Sequence, residues 1–431
     1  MSIKFKIIPI IQEVLEGKFS NIVLNKFFSE NNFIEKERNF ITEIFYGVIR
    51  KKIFLDYMID SKVKSIKKEW IRNLLRISIY QITFMNSDDK GVVWEGTEIG
   101  KKKFGVAIGK FINGVLRSYI REKDELIDKL KKEREDIYLS YPKWFYEKIK
   151  NEYPDEYVKI LESLKKIPYI SFRVNKLKYT EKEFEKLLKS KDISIIKKID
   201  GVYYISAGSL IYSDEFKEGK IIIQDASSYI AAKNLVPLPN ESVLDACAAP
   251  GGKTAVIAEF MENNGEIVSL DVYPHKIKLI EENNKKLGIT ISKAVNLDAR
   301  KINMQGKKFD KILIDAPCSG YGVLRKKPET IYRKKMENIE NLSKLQLEIL
   351  ESVSEVLKDN GILIYSTCTI LKEENTANIE KFLEKNPKFS IEKLEIPENI
   401  NGFYDKYGGF QIDYSEEILD GFYFIKLKKN I

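Results

Sequence analysis

Histidine is all but missing from this chain: His275 is the only one in 431 residues. Triads built on imidazole, and zinc sites that need several histidines, have almost no material to work with. His275 itself lies in a Tyr-Pro-His-Lys stretch that reads as a helix start and suits a solvated surface position. Cysteine is nearly as scarce. The three present, Cys247, Cys318 and Cys368, cannot all pair, and such sparse usage fits a reducing compartment rather than a disulfide framework. No apolar run approaches the ~20 residues that span a bilayer. The first ten residues mix lysine with isoleucine and lack a signal-peptide core. A soluble cytoplasmic protein is expected, with no membrane partner and no metal.

Hydrophobic content of 43% and charged content of 32% allow globular cores and argue against wholesale disorder. The net charge of +9 is unevenly spread. Residues 1–130 carry 24 Lys+Arg against 17 Asp+Glu, whereas the rest of the chain nearly balances, at 49 against 47. A local basic field attracts polyanions. A lysine-rich solvated surface would give the same count, so the asymmetry points to a nucleic-acid-holding module only when it stands beside a catalytic domain.

Three segments follow from the patterning. Residues 1–135 read as all-helical, with Ile71, Leu74, Leu75, Ile79 and Ile82 at helical spacing and a second run, Phe111, Val115 and Ile120, after Lys101-Lys102-Lys103. The charged run 121–136 is expected to be a solvated helix or linker. Residues 136–225 read as a small α+β module. Helices should follow Pro142 and Pro154, a strand should run from Tyr169 to Val174, and Thr180 to Glu183 forms a capping box. Short strands are expected at 193–197, 202–206 and 220–224. Residues 226–431 alternate strands, such as Ser242–Asp245, Glu266–Asp271, Ala294–Asp298, Lys311–Asp315 and Gly361–Tyr365, with helical stretches. That is the pattern of an α/β, doubly wound parallel sheet.

The first of these strands runs into Cys247, Ala248, Ala249, Pro250, Gly251, Gly252 and Lys253, a loop that opens a helix. Small residues let main chain approach a ligand, and a helix N-terminus offers free N–H groups. A phosphate-binding Gly-x-x-x-x-Gly-Lys-Thr loop would need glycine where Cys247 stands, and no Gly-x-Gly-x-x-Gly fingerprint is present. A ligand without phosphates fits better. Asp245, Asp271, Asp298 and Asp315 each end a strand candidate, so all four are expected on the carboxyl edge where ligands bind. Asp271 is placed for ribose hydroxyls and Asp298 for an adenine amino group. Four acids would repel a triphosphate and suit a sulfonium cation. Turn-forming aspartates would explain any one of them, but explain all four less well.

Asp315-Ala-Pro-Cys318-Ser-Gly follows the fourth strand and Ser366-Thr-Cys368-Thr the fifth. A lone cysteine is more often a small buried hydrophobe than a nucleophile, but here all three fall at the active edge. Together with the Cys247–Thr254 loop, these motifs resemble those of the Sun (NSUN-type) family of RNA cytosine-C5 methyltransferases. Gln224-Asp-Ala-Ser-Ser228 and Gly421-Phe-Tyr-Phe-Ile-Lys-Leu427 resemble further family segments. Phe45–Arg50, Leu74–Tyr80 and Phe111–Arg117 resemble the NusB-like RNA-binding domain, a combination typical of the bacterial branch that modifies small-subunit rRNA.

The resemblance implies a Rossmann-like domain over residues 226–431 that uses S-adenosylmethionine. It is preceded by a NusB-like domain over 1–135 and an RRM-like α+β module over 136–225. The implied substrate is a cytosine of 16S rRNA, free or in a small-subunit assembly intermediate; a tRNA or another rRNA site is the alternative. Cys368 is implied as nucleophile at cytosine carbon 6 and Cys318 as the residue that assists release, with Asp315 at the cytosine edge. Cys247, Ala248, Ala249, Pro250, Gly251, Gly252, Lys253, Asp271, Asp298 and Asp315 would hold the cofactor. Tyr321 and Thr369 stand where the family commonly has Thr and Ser; neither change removes a catalytic group. A non-catalytic RNA-binding or antitermination factor would not need the cofactor loop and both cysteines.

Overall fold

Aliphatic residues repeating at three- and four-residue spacing drive the first part of the chain into helices, from Ile3–Leu15 to Tyr157–Ser163. A computed structural model of the chain describes residues 2–206, 208–302, 306–414 and 417–431. In the helix Glu69–Phe84 the expected stripe Ile71, Leu74, Leu75, Ile79 and Ile82 is buried. In Val106–Glu133 the buried stripe is Ile112, Val115, Leu116 and Tyr119, while the expected Phe111 and Ile120 are only partly buried. Three apolar positions spaced by four and five residues do not fix the phase of a helical face. Centred on Val115, the face runs through the positions three before, one after and four after it. The charged run continues this helix to Glu133 as a mostly exposed extension.

One compact unit comprises the residues up to Lys165 together with Leu324–Lys334. The helices after Pro142 and Pro154 belong to it, although the sequence pattern grouped them with the α+β module. The Tyr141 hydroxyl donates to the Leu161 carbonyl at 2.7 Å, and the Ser140 hydroxyl accepts from the amides of Ile53 and Phe54 at 3.1 and 3.2 Å. Helix following helix leaves no change of periodicity to mark this boundary. The late segment Leu324–Lys334 is fixed within the same unit: Arg325 Nε donates to the Ser163 carbonyl at 2.8 Å, and Glu329 Oε1 accepts from the Ser20 amide at 3.0 Å.

The second unit spans Lys166–Val323 and Lys335–Ile431. Strands β1 (Ile170–Val174), β2 (Ile195–Ile199), β3 (Val202–Ile205) and β4 (Ile221–Ile223) make an antiparallel sheet in the order β2-β3-β1-β4. The Thr180 capping box closes as expected. The Thr180 amide donates to Glu183 at 2.8 Å and the Glu183 amide to Thr180 Oγ1 at 3.3 Å, opening a helix that buries Phe184 and Leu188.

A larger sheet holds β5 (Ser242–Asp245), β6 (Glu266–Asp271), β7 (Ser292–Asn296), β8 (Phe309–Asp315), β9 (Leu357–Thr367), β10 (Phe389–Ile391), β11 (Gly402–Tyr404), β12 (Phe410–Ile412) and β13 (Tyr423–Lys429). Its order is β11-β12-β13-β9-β8-β5-β6-β7, with β10 on β13. Strands β5 to β9 are mutually parallel, as expected of the doubly wound fold, and the chain order reverses between β5 and β8, the switch point where ligands bind. The antiparallel β10–β13 were not anticipated; three of them are only three residues long and offer no periodicity to read. Strand β7 ends at Asn296, so Asp298 lies two residues past it rather than at its end. Among the described residues no helix is long and apolar enough to cross a membrane.

Candidate active site

Strand β5 delivers the chain at Asp245 into a tight loop that ends at the helix Gly252–Phe260. Gly251 caps this helix at φ +106°, a left-handed conformation that side chains with a Cβ rarely adopt. Main-chain bonds set the loop's path: Gly251 N–H to the Ala248 carbonyl at 2.7 Å, and Ala248 N–H to the Leu270 carbonyl of β6 at 2.8 Å. Asn283 Nδ2 donates to the Pro250 carbonyl at 2.7 Å and Gln224 Nε2 to the Gly252 carbonyl at 3.3 Å. Gln224 is held in turn by the buried Arg173 of β1, whose guanidinium also pairs with the buried Glu259 at 2.5 Å. The small sheet therefore braces the loop from behind. Motif reading missed Arg173 and Glu259; a lone arginine inside an apolar strand was the available signal.

The four aspartates differ sharply. Asp245 is fully buried, accepts from Thr254 Oγ1 at 2.7 Å, and burial pushes its carboxyl up to about 7. Asp271 ends β6 and is nearly buried. It accepts from the Tyr273 amide at 3.0 Å and lies 3.3 Å from Lys276 Nζ, leaving lone pairs for hydroxyl donors. Asp315 ends β8, where Lys253 Nζ meets it at 2.6 Å and Ser366 Oγ at 3.2 Å. Asp298 is wrapped by Arg300, whose side-chain bonds hold its carboxyl below the usual range. It can reach an adenine amino group only if Arg300 turns away. The loop's one ammonium, Lys253, is thus committed to Asp315, which leaves the main-chain cradle without a cation to meet a phosphate. That donor set fits a cationic, phosphate-free cofactor such as a sulfonium. Burial, then the charges of Asp245, Asp315 and Asp271, push the Cys247 thiol far up, so it lines the loop as a neutral side chain.

Strands β8 and β9 are parallel neighbours with Asp315 opposite Ser366. Beyond their ends, Cys318 Sγ and Cys368 Sγ lie 3.1 Å apart. Gly322 N–H donates to the Cys368 carbonyl at 3.0 Å while its own carbonyl accepts from Gly421 N–H at 3.0 Å. A Cβ on Gly322 would stand 1.7 Å from the Gly421 oxygen, so only glycine permits this crossing of the two cysteine loops. Tyr321 beside it is fully buried. The Cys318 thiol is pushed well up by its hydrogen bond to Cys368, then by burial, then by the charges of Cys368, Glu374 and Asp315. Exposed His275 stands in the first turn of Pro274–Leu287, after β6.

Three family models match the chain: 16S rRNA methyltransferase RsmB/F over residues 232–428, the NusB family over 3–121, and the RsmF/B-like ferredoxin-like domain over 141–201. The probable ribosomal RNA small subunit methyltransferase B of Bacillus subtilis is 36% identical over 425 residues, covering 95% of each chain. The corresponding protein of Vibrio cholerae is 31% identical over 402 residues, covering 91% of this chain and 90% of that one. Among solved structures, PH0851 matches all of this chain and 99% of its own at TM-score 0.84 and 29% identity. A methyltransferase homologue from Pyrococcus horikoshii matches 71% of this chain and 99% of its own at TM-score 0.61 and 29% identity.

Proposed function

We propose, from the premise that this chain belongs to the RsmB/F family of 16S rRNA methyltransferases, that it methylates carbon 5 of a cytosine in 16S rRNA through a covalent adduct on Cys368. It is an S-adenosylmethionine-dependent rRNA methyltransferase; the base, the carbon and the covalent route are the proposal. One observation carries it: two thiols 3.1 Å apart beside the Asp315–Lys253 pair at the end of the cofactor loop. Methylation of a heteroatom would have no use for a paired nucleophile and release group.

Carbon 5 of cytosine is a poor nucleophile. Addition of the Cys368 thiolate at carbon 6 breaks the ring's conjugation and gives carbon 5 enamine character. Asp315, steadied by Lys253 and Ser366, is suited to bond or protonate N3 and so relieve the negative charge that develops there. S-Adenosylmethionine, when bound, would supply a methyl group on a sulfonium sulfur that leaves as a neutral thioether, with the enamine-like carbon 5 as the acceptor. Asp271 would hold the ribose hydroxyls, and the backbone of residues 247–253 the rest of the cofactor. The proton on carbon 5 must then leave, its electron pair re-forming the 5,6 double bond as the carbon–sulfur bond breaks and Cys368 departs as thiolate. Cys318 is suited to that step. Its proton is held partly by Cys368 and its charge, and that hold vanishes once Cys368 sulfur is bonded to carbon 6. Once Cys318 has passed its own proton to water, its thiolate can accept the proton from carbon 5. The target base must be unstacked to enter such a site, and the basic helical segment is suited to the surrounding RNA backbone.

Bisulfite sequencing tests the product. Full-length protein, S-adenosylmethionine and 16S rRNA should yield one bisulfite-resistant cytosine, with a tRNA pool as the competing arm. Methylation confined to tRNA, or a methylated base other than 5-methylcytosine, would overturn the reading.

A further inference from the structure

Two buried polar side chains outside the chemistry above grip the cysteine loops. Glu374 lies in the short turn Lys372–Glu374 after Cys368, and Gln346 in the middle of the helix Met336–Glu355; both are fully buried. Glu374 Oε1 accepts from the Ser319 amide at 2.8 Å and from Gln346 Nε2 at 2.9 Å. Gln346 Nε2 also donates to the Pro317 carbonyl at 2.9 Å. The residues on either side of Cys318 are thus held, one by its carbonyl and the other by its amide. The Cys368 side is held from the same turn. Asn375 Nδ2 donates to the Thr369 carbonyl at 3.1 Å, and Thr369 Oγ1 meets Ser319 Oγ at 2.6 Å. Glu374 and Gln346 are fixed in turn by the Tyr365 hydroxyl on the Glu374 carbonyl at 2.7 Å and by Asn378 Nδ2 on Gln346 Oε1 at 2.9 Å.

We propose that Glu374, acting on the Ser319 amide with Gln346 on the Pro317 carbonyl, is the positioning residue that holds Cys318 against Cys368 and thereby sets the rate of product release. The inference rests on the two-cysteine reading. A buried carboxylate is costly, and one whose Oε1 takes two oriented donors, the Ser319 amide and Gln346 Nε2, acts as a geometric constraint on the loop. Burial pushes the Glu374 carboxyl up, and its residual charge is one of the influences that keep the proton on Cys318.

The test compares Glu374→Ala and Glu374→Gln in the full-length protein with S-adenosylmethionine and 16S rRNA. A misplacement of about 1 Å costs about 100-fold in rate, so Glu374→Ala should lower kcat about 10- to 100-fold. Its KM for S-adenosylmethionine should move less than about threefold, because the lost interaction is made away from the cofactor. A protein–RNA adduct should accumulate although both cysteines are intact. Diamide, which oxidises a close thiol pair to a disulfide, should join Cys318 to Cys368 more slowly. Glu374→Gln keeps the Oε1 acceptor and should recover most of the rate and the crosslinking. If Glu374→Ala loses cofactor binding through misfolding, Gln346→Met, which removes the donor to Pro317 and to Glu374 Oε1 together with the acceptor for Asn378 but leaves the Glu374 bond to the Ser319 amide, carries the same test. Wild-type kcat with undiminished crosslinking in the alanine variant, or a glutamine variant as impaired as alanine, would overturn the proposal. The crosslinking needs no reaction, so it judges the clamp alone. Failure of the two-cysteine reading would appear instead as normal 5-methylcytosine formation by Cys368→Ala.

Discussion

Asn in place of Asp245 should make the ligand-free protein more stable at pH 8, by a margin that shrinks toward zero as the pH is lowered toward 4. The carboxyl moves from an ordinary ~3.9 in the unfolded chain to about 7 in the fold. The folded state therefore binds this proton more tightly than the unfolded state does. The contribution is intact below pH ~4, is lost as the pH rises toward 7, and stays lost above. Three units correspond to a ceiling of ~4 kcal/mol, and relaxation around the ionised group makes about 2–4 kcal/mol the expected gain on removing it. Asparagine retains an acceptor for Thr254 Oγ1 and has no charge to bury. At about 2–4 °C per kcal/mol for a domain of this size, Tm should rise by about 4–16 °C at pH 8. Thermal melts of both proteins from pH 4 to 8.5 measure this. Adding S-adenosylmethionine should then raise the Tm of wild type more than that of the variant, because a sulfonium offsets the buried negative charge. A variant less stable than wild type at pH 8, or a Tm difference independent of pH, would refute the reasoning.

Asp271→Ala should raise the KM for S-adenosylmethionine about 10- to 100-fold, the worth of a hydrogen bond to a charged group, with kcat at saturating cofactor nearly unchanged. A fall in kcat alone would remove Asp271 from the cofactor site. Replacing the exposed Lys101, Lys102 and Lys103 by glutamate should weaken RNA binding and lower the slope of log K against log salt by about 0.7 for each phosphate that is no longer neutralised. Filter binding across a salt series reads the slope, and an unchanged slope would exclude this segment from the RNA-binding surface.

The parts of the fold legible in the sequence were those with a strong period or a strong punctuation mark. Strands β5 and β6 stand where Val243-Leu and Ile267-Val-Ser-Leu ended in aspartate, and the Thr180 capping box closed on Glu183 as its spacing required. The neighbouring positions of Cys318 and Cys368 followed from strand order alone. Asp298 was misplaced because β7, at a sheet edge and only partly buried, has a weak apolar pattern whose end could slide by two residues. The compact helical unit runs to Lys165 and takes in Leu324–Lys334, a long-range pairing that no local signal announces. Lys253 stands in the loop expected to hold the cofactor, and its side-chain partner Asp315, 62 positions away, is not legible from spacing along the chain. Glu374 lies in none of the motifs; its burial depends on the packing of Met336–Glu355 against the cysteine loops, which sequence spacing does not encode.

The central claim is that Cys368 attacks and Cys318 releases. Full-length Cys318→Ala and Cys368→Ala, each incubated with 16S rRNA and S-adenosylmethionine and run on a denaturing gel, test it most directly. Cys318→Ala should give a covalent protein–RNA band that survives denaturation, because the methylated base cannot leave. Cys368→Ala should give neither the band nor 5-methylcytosine. A band in Cys368→Ala and not in Cys318→Ala would reverse the roles, and 5-methylcytosine formed at a normal rate by Cys368→Ala would contradict the covalent route.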